Sequence, residues 1–576
     1  MWNQKITKLK NIIITSNWFF YQVKSSTNQQ QTSKKLRPFW KHFFIFVLVF
    51  IIILSFSFLD YSTTNKFGIN LFWKNIKNLF VFNNESSFLL GTDNNWLLSF
   101  KYLWITLKTT LIGTFLGFIL AIISSFLSSK YVLNKYLAYF NNLFILLLRS
   151  FPELIFIKLF TLSFYPEMAM TMVFLWFSWL WLHKYFLDAI NSIDPKFYFI
   201  SLNNGNSKIY AFFQEIFLKL LSRFSSLFIY SFEANIRWGS ILSALGLSGI
   251  GALIHFSGSA DYTFDQIGIP LIILFIFIIF LEIISFLINK YLFEDQNIKI
   301  TKFDYGTAVK VISLKKIIKN ILFIVLIILS IVFLSTTNLS RTSLDKTHEF
   351  FLSTFSPDWS VFKFDNTLQN NPLLQILQSL YYALISLIVM LIFSFIIFYW
   401  SIFKLHGLKT SFTFKVFNTF IRLFPSVVFI YTFNPLANDP ITLLVFVLGI
   451  HSSSSFSKRL YEITDTLDFE FIENLKIQSY SKFKIYIYYV IPTIKKDLIT
   501  LSLFAFEMSF RSAITYAIFS ANTLKIGSYI NHYLNPIKYQ PQKAMSYIWI
   551  ATFSIFILNL LTDLIVKNLN NKKVRT

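Results

Sequence analysis

Residues 231–237 read Ser-Phe-Glu-Ala-Asn-Ile-Arg, and residues 505–511 read Ala-Phe-Glu-Met-Ser-Phe-Arg. Each places an acid and an arginine four residues apart inside an apolar run. That spacing is about one helical turn, so Glu233 can face Arg237, and Glu507 can face Arg511, along one helix. The two stretches lie 274 residues apart, and other matches keep nearly the same spacing. Arg149-Ser-Phe-Pro152 returns as Arg422-Leu-Phe-Pro425 after 273 residues. Asp194 returns as Asp468, and Ser207-Lys208 as Ser481-Lys482, after 274. Ile250-Gly251 returns as Ile526-Gly527 after 276. Matches in one order at one slowly drifting offset point to a duplicated unit, and repeats of this kind in membranes favour transporters.

The 576 residues are 55% hydrophobic and only 14% charged. Ordinary soluble domains are about 25% charged, so a soluble class is excluded. With 0 Cys there is no thiolate metal site, disulfide framework or Cys nucleophile. The 7 His include no HExxH pair, and no GxxxxGK[ST] phosphate loop occurs. No metal, cofactor or catalytic residue is expected. The net charge of +24 fits basic loops on a membrane protein better than nucleic-acid binding.

Spans of ~20 apolar residues suit a bilayer. The hydropathy pattern predicts an all-α polytopic protein with twelve, at Phe43–Leu59 and at 103–127, 137–163, 168–187, 223–254, 267–289, 320–335, 375–403, 416–433, 441–457, 498–520 and 544–566. Arg and Pro interrupt 137–163 and 416–433. Residues 1–41 hold eight bases and no acid, and both the 290–319 linker and the tail after Val566 are basic. The positive-inside rule puts these segments in the cytoplasm and loops 60–100 and 336–372 outside. Residues 521–543 carry three Lys on the outer side, against that rule. The expected units are a basic segment 1–41, a first repeat 42–292, a linker 293–319, a second repeat 320–566 and a tail 567–576. Both copies then point the same way, as parallel repeats.

Each half resembles the membrane subunit of binding-protein-dependent ABC importers, and most closely the phosphonate-type permeases. The likeness covers roughly 100–292 and 375–566. It rests on Arg149-Ser-Phe-Pro-Glu153, on Asp194-Pro195, on Glu233 and Arg237, and on the glycine-rich run Gly246 to Gly251. The family's coupling loop reads Glu-Ala-Ala, three residues, Gly, nine residues, Ile-x-Leu-Pro. The first copy has Phe199 at the Glu position, Ser201 at the third, Gly205, and Leu218 in place of Pro; the second keeps Glu473 and Pro492 but has Ser479 for Gly. The spacing from Gly205 to Leu218 equals that from Ser479 to Pro492. The resemblance implies a type I importer permease with two copies fused. Asp194, Ser201, Gly205, Asp468, Glu473, Ser479 and Pro492 would then lie in loops that dock an ABC ATPase, two copies of it, below the membrane. An extracellular substrate-binding lipoprotein would deliver a small anion, such as a phosphonate, an organic phosphate or a pyrophosphate ester like thiamine pyrophosphate.

Docking also needs apolar anchors among the polar groups, and Leu467, Phe471 and Leu475 are candidates. Charges inside spans are candidates for the path: Arg149, Glu233, Arg237, Arg422, Glu507 and Arg511. The alternative is that the Glu–Arg pairs only hold helices together. Glu282 and Asp563 are expected to meet backbone or Lys290 and Lys567, and His183 and Lys184 to snorkel at a span end. Two other functions fit the composition. An ion-driven secondary transporter with parallel repeats would not need matched loops at 188–222 and 458–497. A membrane assembly scaffold would need no path.

Overall fold

The computed structural model describes residues 20–24, 32–60, 66–89, 93–131, 134–260, 262–288, 291, 305–337, 344–465, 467 and 469–571. Asp468 lies outside them, as do residues 293–304 of the expected linker and the tail from 572. Apart from two short hairpins, Phe20–Lys24 with Thr32–Leu36 and Glu85–Ser86 with Asp93–Asn94, the regular elements are helices.

Residues 38–288 and 305–571 carry long helices in the same order. Pro38–Ser57 and Lys66–Asn78 open the first, and Tyr305–Ser335 and Leu344–Phe355 the second. The expected linker is therefore helical from Tyr305 onward. Next come Asn95–Leu127 and Pro372–Ser401. Asn94 caps the former by accepting from the Trp96 and Leu97 amides, and Asn371 caps the latter by accepting from the Leu373 amide. Lys135–Ser150 breaks before Glu153–Ser163, and Leu408–Leu423 before Ser426–Phe433. Both breaks follow from Pro152 and Pro425, because proline forces the preceding residue out of the helical region. Phe151 and Phe424 accordingly have ψ of 136° and 132°. Pro166–Ser192 and Pro440–Asp465 follow.

Seven described helices are long and apolar enough to cross a membrane alone. The pair Leu408–Leu423 and Ser426–Leu436, bent by 83°, makes an eighth if it is one span. The remaining expected spans are also helical, but two are divided differently. The 137–163 span is split at Phe151–Pro152. The 223–254 span is one helix, Leu218–Ala244, and a separate one, Ile250–Ser259. Gly246 and Gly249 make that turn at φ of 97° and 138°, values only glycine adopts readily.

Small residues bring the helices together. A Cβ on Gly117 would stand 2.7 Å from the Leu175 carbonyl oxygen and 2.9 Å from the Trp179 amide nitrogen. Asn95–Leu127 and Pro166–Ser192 therefore touch backbone to backbone, as Gly-x-x-x-Gly surfaces do in membranes. In the second half Ser394 donates to the Ser453 carbonyl at 3.2 Å across the matching interface. One core cluster joins Leu154, Ile157 and Phe174 of the first half to Phe510, Ile514 and Ile548 of the second. Another joins Ile254 and Leu274 to Leu423 and Val428. Each half's broken helix is thus packed into the other half.

Candidate translocation site and coupling loops

Four helices line both cavities in the space between the halves: Pro166–Ser192, Leu218–Ala244, Pro440–Asp465 and Lys495–Thr515. Two cavities, of about 1150 and 460 Å³, lie there. Glu233, Arg237 and Arg422 line the larger, and Arg149, Glu507 and Arg511 the smaller. All six expected path residues therefore reach the inter-half space.

They form two clusters, each drawing on both halves. In the first, Arg237 donates to Glu233 at 2.7 Å. Arg422 of the second half donates to Glu282 of the first and lies in electrostatic range of Glu233. Lys458 is 3.6 Å from Glu282 and 3.9 Å from Glu462. In the second cluster, Glu507 accepts from Arg511 at 2.8 and 3.1 Å. Arg149 of the first half is 3.6 Å from Glu507, and its carbonyl accepts from Arg511 at 2.8 Å. Asp563, Lys184 and Asp188 lie in electrostatic range of Arg149. The first cluster holds Glu233, Arg237, Glu282, Arg422, Lys458 and Glu462; the second holds Glu507, Arg511, Asp563, Arg149, Lys184 and Asp188, with Glu153 also in electrostatic range of Arg511 and Glu507.

Glu282 thus meets Arg422 and Lys458, and Lys290 lies outside the described residues. The sequence reading gave Lys184 a snorkelling place at a span end and did not name Asp188, Lys458 or Glu462. The 274-residue offset relates Lys184 to Lys458 and Asp188 to Glu462, so that signal was available. His183 does not end a span. It is buried and bonded to the Ser124 hydroxyl at 2.8 Å, because its helix runs on to Ser192. Among the described residues, no group of three or more His, Cys, Asp or Glu could hold a metal.

The two long loops fold alike. Lys196–Asn203, a turn at Gly205 and Lys208–Phe212 make the first; Phe469–Ile477, a turn at Ser479 and Lys482–Ile485 make the second. Ser207 caps its helix by accepting from the Tyr210 amide, and Ser481 caps its own from the Lys484 amide. Five-residue π-helical turns, Phe213–Phe217 and Tyr486–Val490, then lead toward the next long helix. Asp194 is exposed and pairs with Lys196 at 3.6 Å. Ser201 is buried and accepts from Asn206 at 3.1 Å. Glu473, Ser479 and Pro492 are exposed. Of the expected anchors, Phe471 is exposed and stacks on Tyr489, whereas Leu467 and Leu475 pack against a core that the loop shares with Pro372–Ser401 and Pro440–Asp465. Ile477, Tyr480 and Phe483 are exposed instead, beside Phe197, Phe199 and Ile200 in the first loop. Burial, with Lys482 and Lys476 nearby, holds His406 below its ordinary pKa.

The turns have φ of 87° at Gly205 and 63° at Ser479. A left-handed turn costs an L-residue about 1–2 kcal/mol that glycine avoids. Ser479→Gly should therefore raise stability by about 1 kcal/mol, and Gly205→Ser should lower it by as much. Thermal unfolding of the detergent-purified protein checks both, and a melting point lowered by Ser479→Gly would count against a strained turn.

No family model matches the chain, and no solved structure does. The chain is 30% identical over 516 residues to the "ABC transport system permease protein p69" of Mycoplasma genitalium, covering 89% of this chain and 91% of that one. It is 29% identical over 491 residues to the protein of the same name from Mycoplasma pneumoniae, covering 84% of this chain and 87% of that one. With that likeness along nearly its whole length, and with several helices long and apolar enough to span a bilayer, the chain belongs to the ABC transport system permeases and is a multi-pass membrane protein.

Proposed function

We propose that the chain is a fused pair of permease units of an ABC importer, with a path for a small anionic solute between its halves. Twelve spans in two parallel repeats, a type I arrangement and cytoplasmic termini complete this reading. The observation that carries it is the pair of matched helix–turn–helix loops at Gly205 and Ser479, each presenting exposed apolar side chains among charges. A surface of that kind suits a soluble partner. ATP hydrolysis comes from separate ATPase subunits, one under each loop, and a substrate-binding lipoprotein delivers the cargo from outside. By family resemblance, phosphonates, organic phosphates and pyrophosphate esters are the candidate cargoes.

Co-purification from native membranes tests the partner: an ATPase should remain bound, and its absence under mild detergent would sink the reading. A Gly205→Val, Glu473→Lys double variant should reach the membrane at wild-type abundance yet lose at least tenfold in ATP-driven uptake. The β-branched residue opposes the turn, and the reversed charge opposes the partner surface. Unchanged uptake at matched protein levels would remove the docking claim.

A further inference from the structure

We infer that Arg459 holds the cargo's oxyanion, at a waist between the two cavities, and that only the second half supplies the cation of this site. The inference rests on the permease reading above. It starts from position. Trp181, Tyr230, Ser455, Arg459 and Leu501 line both cavities, so a solute moving between them passes these side chains.

Charge is the second argument. The arginines in the two clusters face carboxylates at ion-pair distance. Arg459 has no ion pair within 4 Å among the described residues, and Glu462 lies only in electrostatic range of it. The neighbouring Lys458 takes the ion pairs with Glu282 and Glu462. Arg459 lies in electrostatic range of the Tyr230 hydroxyl and over the Phe504 ring, 5.6 Å from its centroid. An aromatic face and a neutral hydroxyl steady a guanidinium without neutralising it. The Tyr230 hydroxyl lines the same waist and can donate as well. The half-buried guanidinium fork, the Tyr230 hydroxyl and the Ser455 hydroxyl together are a donor set for a tetrahedral oxyanion.

Asymmetry is the third argument. The charge clusters repeat at the 274-residue offset, but the waist does not. The first-half counterparts of Ser455 and Arg459 are Trp181 and Tyr185, and the counterpart of Phe504 is Tyr230. Trp181 lies 4.4 Å from Tyr185 and 5.7 Å from Tyr230, ring centre to ring centre. One side of the waist is an aromatic wall and the other carries the cation and a hydroxyl. A duplicated frame has therefore kept its charge clusters in both copies and divided the waist between them. The arrangement offers one anion position per molecule, as a path that moves one solute at a time requires.

Phosphate chemistry reaches a membrane protein from a solute or from a lipid headgroup, and binding measurements separate the two. The purified full chain in detergent is titrated by equilibrium dialysis with radiolabelled inorganic phosphate, with methylphosphonate as competitor and short-chain phosphatidic acid as the lipid arm. Wild type should bind phosphate saturably, with affinity falling as salt rises. Arg459→Gln should weaken binding at least tenfold. Arg459→Lys, which keeps the charge and loses the fork, should weaken it severalfold. Lys363→Gln, an exposed base in the 356–371 loop, should leave binding unchanged. Melting curves verify that each variant is folded; should Arg459→Gln fail to fold, Arg459→Lys carries the comparison. Equal affinity in all of them, no saturable binding by wild type, or binding of phosphatidic acid alone would overturn the inference. Loss of the co-purifying ATPase is a failure of the permease reading instead. An intact ATPase partner with phosphate binding indifferent to Arg459 refutes this site alone.

Discussion

Glu507→Leu should destabilise the detergent-purified protein by about 3–5 kcal/mol, the cost of removing one partner from a buried ion pair. The Glu507 side chain is only 2% exposed and is shared by Arg511 and Arg149, so the substitution strands two guanidinium groups. Glu233→Leu should cost less, for two reasons. The Glu233 and Arg237 side chains are 9% and 18% exposed, and Arg422 keeps Glu282 as a partner. Melting followed by tryptophan fluorescence gives the order. The triple replacement Arg149→Leu, Glu507→Leu, Arg511→Met should recover much of the loss, since a buried ion group gains little over apolar side chains of similar volume. Equal losses at Glu233 and Glu507 would mean that the second cluster is no drier or better paired than the first.

The second large effect is steric. Gly251→Ala and Gly527→Ala, at corresponding repeat positions, should each lower stability by about 1–3 kcal/mol through overpacking. A Cβ at Gly251 falls on the Ser240 backbone, 2.8 Å from its carbonyl oxygen. At Gly527 it meets the Ile514 carbonyl oxygen and stands 2.5 Å from the Ala517 Cβ. In both halves the obstacle belongs to the helix that carries the Glu–Arg pair, so relief requires the short following helix to move. Gly239→Ala is the control, because its Cβ meets the flexible Met170 tip at 3.0 Å. Abundance and melting temperature of the three variants check this. A Gly239→Ala variant worse than the other two would contradict the packing argument.

The legible features were those set by chain-local geometry. Glu233 and Arg237, or Glu507 and Arg511, are one turn apart on any helix, and both pairs form. Proline at 152 and 425 breaks a helix through its own ring, and both breaks occur where the residues require. Glycine at 205 marks a left-handed turn, and the equal spacing to Ser479 identified a second that its residue type disguises. The loop anchors were less legible. Leu467 and Leu475 look like Phe471 in composition, but they cover the core between the loop and the long helices while Phe471 faces out.

Sequence alone determined the membrane class, the order of helices, the repeat spacing and which charges stand inside apolar segments, because each depends on residue type and on separations of a few residues or one constant offset. Only the tertiary structure decided which charges meet. Arg149 joins Glu507, and Arg422 joins Glu282, across separations of 358 and 140 residues. No helical period encodes those pairings; they arise from the packing of each half's broken helix into the other half. The same packing selects Arg459 from a run of polar residues and sets it between the two cavities. Coulomb attraction and desolvation act over a few ångströms of space, so they are settled only once helices distant in the chain have been brought into contact.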